Sequence, residues 1–459
     1  MKKANSIIVR LAFVVCFVTV CGCGGRSSSQ VPSVLPPTLI VPPQQVRAPA
    51  TPAAADCGLF PGQTESPEAI SSVGLNERVD PVHAPHPTNE SERLLFRQLY
   101  ETLVRVDCEG HAVPDLAESW RLNANGDAWL VRLRPNARFS DNTPVKATDV
   151  VSSWMMDNGT ELRPEASRLV RSISAVDDRT LEIALQSRRA DAVLALAHTD
   201  LAIAKPISGS QWPIGTRPAR MDTTGSSVIT LVRLSGNSTV RFLVAPGRDS
   251  RDLLDRGVDL LLTRDPRTLD YAATLPQFQT AALPWQRTRV LLTPSRVRAA
   301  PSLSADERRN LAQDAVRGEA RGAEGPYWWE SLSDCEIAAS PAPAPSATVR
   351  IVYDSDDTAA RDLAERFVGI GKYPRASGLT NDALVQALRR GNESAYIVSL
   401  DRRPLDSCRE MQVLMNYAGW IDPQTIVPLV DTRLQAIVRR GRSGLNTEWD
   451  GTLLLEMRN

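Results

Sequence analysis

The spacing of hydrophobic and polar residues divides the chain into two kinds of structure. The run ESERLLFRQLYETLV, which starts at Glu90, places Leu94, Leu95 and Leu99 on one face at helical spacing and predicts a helix lying on a core. Hydrophobic and polar residues then alternate around NANGD, and again after the Asp-Asp pair of VDDRTLEIAL, which predicts antiparallel strands because Asn and Gly accept positive φ. From about Thr348 a buried-strand run, TVRIVYDS, precedes an amphipathic helix, DTAARDLAERFVGI, so the later part predicts α/β structure.

The first residues predict an export signal. Lys2, Lys3 and Arg10 precede a short apolar run at residues 11–20. A helix over that run spans about 15 Å, half of a hydrocarbon core, so a permanent transmembrane helix is the weaker interpretation.

The signal ends in VCGC, which resembles a bacterial lipobox, the motif whose cysteine thiol receives diacylglycerol. We predict that residues 1–22 are a signal peptide and that Cys23 is lipidated. Cys21 is the alternative, although it would place the bulky Val20 where a small residue normally stands. Residues 23–56 are rich in Pro, Ser, Ala and Gln and almost uncharged, which predicts a flexible linker between the lipid and the folded body.

Cysteine usage also favours export. Outside the signal and the lipidation site, Cys57, Cys108, Cys335 and Cys408 remain. An even number in an oxidising compartment favours two disulfides. We favour Cys57 with Cys108 and Cys335 with Cys408, because each pair then falls within one lobe of the fold implied below. The other connectivities and free buried thiols stay open as alternatives.

Catalytic and metal-binding motifs are absent from the sequence. The four histidines form no HExxH motif and none lies in a nucleophile signature. The segment VHAPH, which contains His83 and His86, is interrupted by Pro85 and favours a solvated loop over a metal site. Basic and acidic residues number 53 each, so nothing points to a nucleic-acid partner. We therefore predict no enzyme activity, no metal and no cofactor.

A long ordered block of motifs begins at Leu99 and ends at Trp154. It contains LYETLV, VPDLAESW, a hairpin turn, an LR strand, an F-x-D-x-x-P turn and an A-x-DV helix start. This block resembles the family 5 extracellular solute-binding proteins, the peptide-, dipeptide- and nickel-binding components of ABC importers. The later segments SISAVDDRTLEIAL, PIGTRP, RGVDLLLTRDP and AYIVSLDRRPLDSC resemble weaker family segments in the same order.

The resemblance implies an α/β, two-lobed periplasmic-binding-protein-like fold of type II, with an extra antiparallel-rich subdomain in the N-terminal lobe. It places the N-terminal lobe at 57–247, including a strand-rich subdomain at 99–165. The C-terminal lobe is expected at 248–424, and a return segment to the N-terminal lobe at 425–459.

The implied function is capture of a small, oligopeptide-like solute between the lobes. A monomer anchored by lipid to the bacterial cell membrane, facing the periplasm or the exterior, would deliver that solute to an ABC permease. One alternative is a lipoprotein that keeps the fold as a sensor or scaffold without transport. A second alternative, an exported hydrolase, lacks a nucleophile constellation.

The resemblance also supplies candidate ligand-binding residues. Asp401 is the nearest match to the family carboxylate that holds a peptide amino terminus, although Arg402 and Arg403 replace the Tyr and Pro that usually follow it. For every candidate the alternative is a packed aromatic ring or a solvated charge. The other candidates for the cleft wall are Trp212, Trp285, Arg264 and Asp265.

Several positions depart from the family pattern. Asn142 replaces the turn glycine and should preserve the turn, since Asn tolerates positive φ. Lys146 replaces a helix-capping Thr, which is expected to cost about 1 kcal/mol unless Thr143 or Thr148 takes over the cap. Arg217 and Ala219 replace a glycine and an aromatic ring that usually line the approach to the cleft, so Arg217 is expected there.

Overall fold

The computed structural model describes residues 57–60, 68–156, 159–186, 192–207, 209–234, 238–284, 287–294, 305–312, 319–320, 349–355, 357–401, 418–421 and 426–455. Within these ranges, short 3-10 helices occur at Pro81–His83, Ala192–Ala197 and Thr199–Leu201. The α-helices are α1 (Glu90–Arg97), α2 (Ala147–Trp154), α3 (Pro164–Ser167), α4 (Arg251–Asp255), α5 (Pro266–Thr274), α6 (Ala305–Ala312), α7 (Thr358–Gly369) and α8 (Asn381–Arg390).

The strands are β1 (Glu68–Ala69), β2 (Ser72–Leu75), β3 (Val104–Val106), β4 (Ala112–Pro114), β5 (Ala117–Leu122), β6 (Trp129–Leu133), β7 (Val170–Ala175), β8 (Thr180–Leu185), β9 (Ala219–Thr224), β10 (Val228–Arg233), β11 (Thr239–Val244), β12 (Leu260–Thr263), β13 (Phe278–Ala282), β14 (Arg287–Leu292), β15 (Glu319–Ala320), β16 (Ile351–Asp354), β17 (Ala376–Leu379), β18 (Ala395–Asp401), β19 (Val427–Thr432), β20 (Gln435–Arg439), β21 (Arg442–Ser443), β22 (Leu445–Thr447) and β23 (Leu453–Leu455).

Two mixed sheets form the framework of the described part. A seven-stranded sheet has the order β13-β20-β12-β2-β11-β10-β9, and a six-stranded sheet has the order β15-β19-β14-β18-β16-β17. In the six-stranded sheet β16 runs parallel to β17 and β18, with α7 and α8 in contact with these strands. The expected α/β architecture of the later part of the chain is therefore confirmed.

A four-stranded antiparallel sheet, β5-β6-β8-β7, overlaps the strand-rich subdomain predicted at 99–165, but its strands β7 and β8 lie beyond residue 165. The NANGD segment connects β5 to β6 as predicted, and Gly126 adopts φ 71° there. Trp154 at the end of α2 is buried in the core of this sheet and donates from Nε1 to the Leu201 carbonyl at 3.1 Å. The subdomain thus has its own hydrophobic core, and α2 lies against it.

The first predicted helix is real but shorter than its hydrophobic run. Asn89 caps α1 by accepting from the Glu92 amide at 2.9 Å, and the helix ends at Arg97. The next residue, Gln98, donates from Nε2 to the Leu453 carbonyl at 2.9 Å and accepts from the Leu455 amide at 3.0 Å. These bonds tie the end of α1 to β23, near the end of the described chain.

Two positions that depart from the family pattern are Asn142, in a turn, and Lys146, at the start of α2. Asn142 adopts φ 70°, so the expected positive-φ turn is confirmed. The Lys146 side chain makes no capping hydrogen bond, and the Thr143 hydroxyl does not take over the cap, because it donates to Asp141 at 2.6 Å. Asp149, in the first turn of α2, accepts from the Lys146 amide at 2.7 Å and satisfies that donor. An acidic side chain suits this position because helix N-termini carry partial positive charge.

The strand pairings show where the chain changes sheet. It leaves the seven-stranded sheet after β13, enters the six-stranded sheet at β14 and returns between β19 and β20. The lobe boundaries expected after residues 247 and 424 stay predictions of domain organisation. The sheets themselves change between residues 282 and 287 and between residues 432 and 435.

Candidate functional site

The two connections between the large sheets run side by side. Ala282 pairs with Gln435 at the end of the seven-stranded sheet, and Arg287 pairs with Thr432 at the start of the six-stranded sheet. Between these pairs, the Leu283 amide donates to the Leu434 carbonyl at 3.0 Å. We call residues 282–284, 287 and 432–435 the connecting ribbon. Two adjacent crossings are the topology in which a few residues can absorb the rotation of a hinge.

Charged side chains from both sheets meet beside the connecting ribbon. Arg264, which follows β12, donates to Glu90 Oε1 at 3.0 Å. Burial raises the pKa of Glu90, but Arg93, Arg264 and Arg287 together hold it below its usual value. Since Arg287 begins β14, groups from both sheets act on one carboxylate here. Predicted candidate Arg264 is thus engaged in an ion pair at the ribbon.

A second charged cluster fixes the start of α7 against the six-stranded sheet. Arg289 is buried and donates from Nη2 to Asp357 Oδ1 at 2.9 Å. Asp357 also caps α7 by accepting from the Ala360 amide at 3.0 Å, and it accepts from Ser399 Oγ at 2.8 Å. Sequence reasoning missed this cluster, although an Asp between a buried strand and an amphipathic helix is a typical capping signal.

Two of the predicted cleft residues have structural partners. Asp265 caps α5 by accepting from the Arg267 and Thr268 amides, each at 3.1 Å. Trp212 packs edge-on against Phe96, with ring centroids 5.9 Å apart, beside the core of the seven-stranded sheet. Their roles in ligand binding stay predictions, and the contacts show what each side chain does in the folded chain.

Some of the remaining predicted site residues are described by the structure, and others lie outside the described residues. The backbone of Asp401 pairs with Arg287, which places the end of β18 next to the connecting ribbon. Cys57 and Cys108 form the predicted disulfide. The other candidates lie outside the described residues: Cys23, Trp285, Cys335 and Cys408.

Arg217 does not line an approach as expected, because its guanidinium lies in a buried ion network. It donates from Nη2 to Asp115 Oδ2 at 3.1 Å and lies 3.6 Å from Glu101 Oε1. Burial raises the pKa of Asp115, but Arg217, Arg97 and Arg134 outweigh this effect and hold it below its usual value. Burial raises the pKa of Glu101. The long cation therefore compensates two buried carboxylates.

The described residues offer no obvious metal centre, since no three His, Cys, Asp or Glu side chains among them come together as ligands. Neither does the described part of the chain contain a helix with the length and apolar character needed to cross a bilayer. The arrangement beside the ribbon contains ion pairs and hydrogen-bonding groups, which are suited to binding a polar solute.

Comparison with known families finds a match for the part of the chain that contains the four-stranded sheet. Residues 111–229 match the model described as bacterial extracellular solute-binding proteins, family 5 middle. The periplasmic oligopeptide-binding protein OppA of Escherichia coli is 36% identical over 115 residues, covering 20% of this chain and 21% of that protein. This part of the chain is therefore similar to the family 5 extracellular solute-binding proteins. This is a solute-binding family and not an enzyme family.

Other relatives and solved structures extend the likeness. The nickel-binding periplasmic protein of E. coli is 26% identical over 134 residues, covering 28% of this chain and 25% of its own length. These sequence matches span about a fifth to a quarter of the relatives' lengths.

The likeness in fold covers most of the chain. The E. coli murein tripeptide binding protein MppA has a TM-score of 0.56 at 15% identity, covering 85% of this chain and 96% of that one. A dipeptide-binding protein from Pseudoalteromonas sp. SM9913 in complex with Met-Leu has a TM-score of 0.60 at 12% identity, covering 84% and 98%. The expected periplasmic-binding-protein-like fold is therefore confirmed.

Proposed function

We propose that this chain is the substrate-binding lipoprotein of an ABC importer, which captures a small, oligopeptide-like solute between two lobes and delivers it to a membrane permease. The observation that carries the proposal is the connecting ribbon, in which Leu283 and Leu434 join two paired crossings between separate sheets. Hinged closure around a ligand needs this topology and no catalytic group. Relatives named for oligopeptide, murein peptide and nickel binding support the solute class.

The ligand-facing chemistry in this proposal centres on Asp401. Its strand ends beside Arg287, and the charges of Arg287 and Arg264 both act on the Glu90 carboxylate. A carboxylate on this border would hold a peptide ammonium group, while the arginines would favour a carboxylate at another point of the ligand. A zwitterionic peptide fits a border that carries both signs of charge.

The ligand class can be tested with paired peptide pools. Thermal shifts of the full chain would be measured with tri- and tetrapeptides that carry free amino termini, and with the same pools after N-acetylation. The free pool should stabilise the protein and the acetylated pool should not, because acetylation removes the charge that Asp401 would bind. Asp401→Asn should abolish the difference between the two pools. Equal stabilisation by both pools would contradict the role proposed for Asp401.

The anchor is proposed to be a lipid on Cys23, followed by a proline-rich linker at 23–56. In an exporting host, the wild-type chain and Cys21→Ala should enter the detergent phase of a Triton X-114 extraction and incorporate labelled palmitate. Cys23→Ala should do neither. Loss of the palmitate label in Cys21→Ala but not in Cys23→Ala would indicate that the lipid is carried by Cys21 instead.

A second candidate function is a lipoprotein that keeps the fold as a sensor or scaffold. The observation that favours it is the pair Arg402 and Arg403 directly after Asp401, in place of the expected Tyr and Pro. Uptake of labelled peptide by cells with and without the gene separates the candidates. Transport predicts lower uptake in the deletion strain, whereas a sensor or scaffold that binds peptide leaves uptake unchanged.

A further inference from the structure

The second crossing of the connecting ribbon runs from Thr432, the last residue of β19, to Gln435, the first residue of β20. It is described in full and is the shorter of the two crossings, because only residues 433 and 434 stand between these strands. The first crossing has residues 283–286 between the end of β13 and the start of β14. A rotation of one sheet against the other therefore has fewer backbone torsions to use on the second crossing than on the first.

The start of the second crossing is fixed to the six-stranded sheet. The backbone of Thr432 pairs with Arg287, and Thr432 Oγ1 accepts from Arg289 Nη1 at 2.8 Å. The preceding residue, Asp431, accepts from Thr288 Oγ1 at 2.6 Å, and these side chains are buried. Buried hydrogen bonds are costly to break, so the end of β19 moves with β14.

The end of the second crossing is fixed to the seven-stranded sheet. Leu434 is 4% exposed and belongs to the core of that sheet. Its carbonyl accepts from the Leu283 amide at 3.0 Å, and the next residue, Gln435, pairs with both Ala282 and Thr263. Moving Leu434 with the six-stranded sheet would expose its apolar surface and break this hydrogen bond. Leu434 therefore moves with the seven-stranded sheet.

Arg433 is the residue at which these two sets of fixed contacts meet. It lies between β19 and β20, and its two neighbours in the chain, Thr432 and Leu434, are fixed to different sheets. The sheets can rotate while both neighbours keep their contacts only if the backbone torsions at Arg433 change. Residues at the ends of strands commonly absorb the torsion changes of a hinge.

We propose that the backbone of Arg433 is the pivot of closure, the point on the second crossing where φ and ψ change as the six-stranded sheet rotates against the seven-stranded sheet. The inference rests on the proposed capture of a solute between two lobes, and it assigns the movement on this crossing to one residue. Arg433 is a positioning residue in this sense, because it acts through the backbone and needs no contact with the solute.

The test measures the distance between the two sheets without any solute. Spin labels would be introduced, as a genetically encoded amino acid, at Thr239, which is exposed in β11, and at Ile370, which is 50% exposed after α7. Double electron–electron resonance then gives the distribution of label-to-label distances in the full-length protein. In Arg433→Gly this distribution should be about 1.5-fold broader than in the wild type, because glycine opens φ and ψ ranges that other residues avoid.

Three further variants separate the backbone of Arg433 from its side chain and from general flexibility. Arg433→Pro should narrow the distribution, because the proline ring holds φ at about −65°. Arg433→Ala removes the guanidinium but keeps an ordinary backbone, and should match the wild type. Arg248→Gly, in the exposed turn between β11 and α4, is the matched control for the glycine and should also match the wild type. Circular dichroism melting curves would establish that each variant is folded.

The distance distributions decide the proposal. Equal widths in Arg433→Gly and the wild type would overturn it, as would broadening in Arg433→Ala or equal broadening in Arg248→Gly. A distribution in Arg433→Pro as broad as that of Arg433→Gly would overturn it too.

Peptide binding gives a separate second measurement. Arg433→Gly should bind the free-amino peptide pool about threefold more weakly than Arg433→Ala, because a smaller fraction of its molecules is in the closed arrangement. A wild type that shows no response to peptide would contradict the proposed capture of a solute. The distances measured without peptide would still decide whether Arg433 is the pivot, so the two failures are distinguishable.

Discussion

Arg97 lies in a buried cluster with two carboxylates, those of Glu448 and Asp115. It donates from Nε and Nη2 to the two carboxylate oxygens of Glu448, at 3.1 and 2.6 Å, and its Nη1 lies 3.4 Å from Asp115. Burial raises the pKa of Glu448 even with this partner present. The guanidinium therefore links α1 to the last described segment by compensating charge that water cannot reach.

Replacing Arg97 by Met should destabilise the fold strongly. The variant leaves Glu448 and Asp115 buried with less compensation, and breaking a buried pair in this way typically costs about 3–5 kcal/mol. Urea unfolding of both proteins measures the difference. The matched control is Arg251→Met, which removes an exposed ion pair with Asp249 and should change stability little. Similar losses in both variants would contradict the role of burial.

Asp141 gives the protein a defined response to acid. Burial raises its pKa slightly, but hydrogen bonds from Lys205 and Thr143 lower it to about 2, from the ordinary value of 3.8. A carboxyl with a lowered folded-state pKa stabilises the fold above its unfolded pKa. That contribution is lost as the pH falls from about 4 through about 2.

Asp141→Asn should therefore show a shallower decline of unfolding free energy between pH 4 and pH 2 than the wild type. Asp178→Asn removes a more exposed turn carboxylate near Lys146 and serves as the control, which should retain the wild-type slope. Chemical denaturation at several pH values measures both. Identical slopes in Asp141→Asn and the wild type would show that the hydrogen bonds from Lys205 do not act on folding.

At the level of elements, Gly215 fixes how the segment before β9 crosses the end of α1. A Cβ at this position would lie 2.0 Å from the Leu99 carbonyl oxygen. The Gly215 carbonyl accepts from the Ser140 amide at 2.8 Å, and the Leu99 carbonyl accepts from the Arg217 amide at 3.0 Å. The close approach thus holds α1, the turn at Ser140 and the buried Arg217 together.

Gly215→Ala should destabilise the protein by about 2 kcal/mol or more, because the added methyl group meets backbone that cannot rotate away. Gly369→Ala is the control, since a Cβ there meets nothing within 4 Å. It should be neutral or slightly stabilising, given the higher helix propensity of Ala. Thermal melts of the two variants decide the matter, and equal stability would contradict the close packing of the segment.

Local patterns predicted the elements better than they predicted the partners of individual side chains. The alternation around NANGD and the turn at Asn142 were sufficient for the hairpin and for the positive φ, because both depend on neighbouring residues. The burial of Arg217 was not predictable, since its acidic partners Asp115 and Glu101 are distant in sequence. The same reason explains why the ribbon contact between Leu283 and Leu434 was missed.

The candidate site was predicted only in part. The resemblance to the family supplied Arg264 and Asp401 as candidate ligand-binding residues. Arg264 lies beside the connecting ribbon, and the strand that carries Asp401 ends there. It also selected Asp265, whose carboxylate caps α5. A cap and a ligand-binding carboxylate look alike in sequence, because both place an Asp at the end of a strand or the start of a helix.

At the scale of the whole molecule, the proposed capture of a solute needs two bodies that move about the connecting ribbon. Val176, beside the four-stranded sheet, and Ile370, at the end of α7, are both exposed and fall in the two different bodies of the proposed closure. Fluorescent labels at these two positions report the separation of the bodies. Labels at Leu122 and Val176, which both belong to the four-stranded sheet region, form the control pair.

The most direct measurement is energy transfer between labels at Val176 and Ile370 as the free-amino peptide pool is added, followed by mass spectrometry of the released peptides. We expect the transfer efficiency between Val176 and Ile370 to rise as peptide is added. The efficiency of the control pair at Leu122 and Val176 should stay constant. The peptides should be recovered intact. Saturating peptide that leaves the efficiency unchanged, or peptides recovered in cleaved form, would contradict capture by closure of the two bodies.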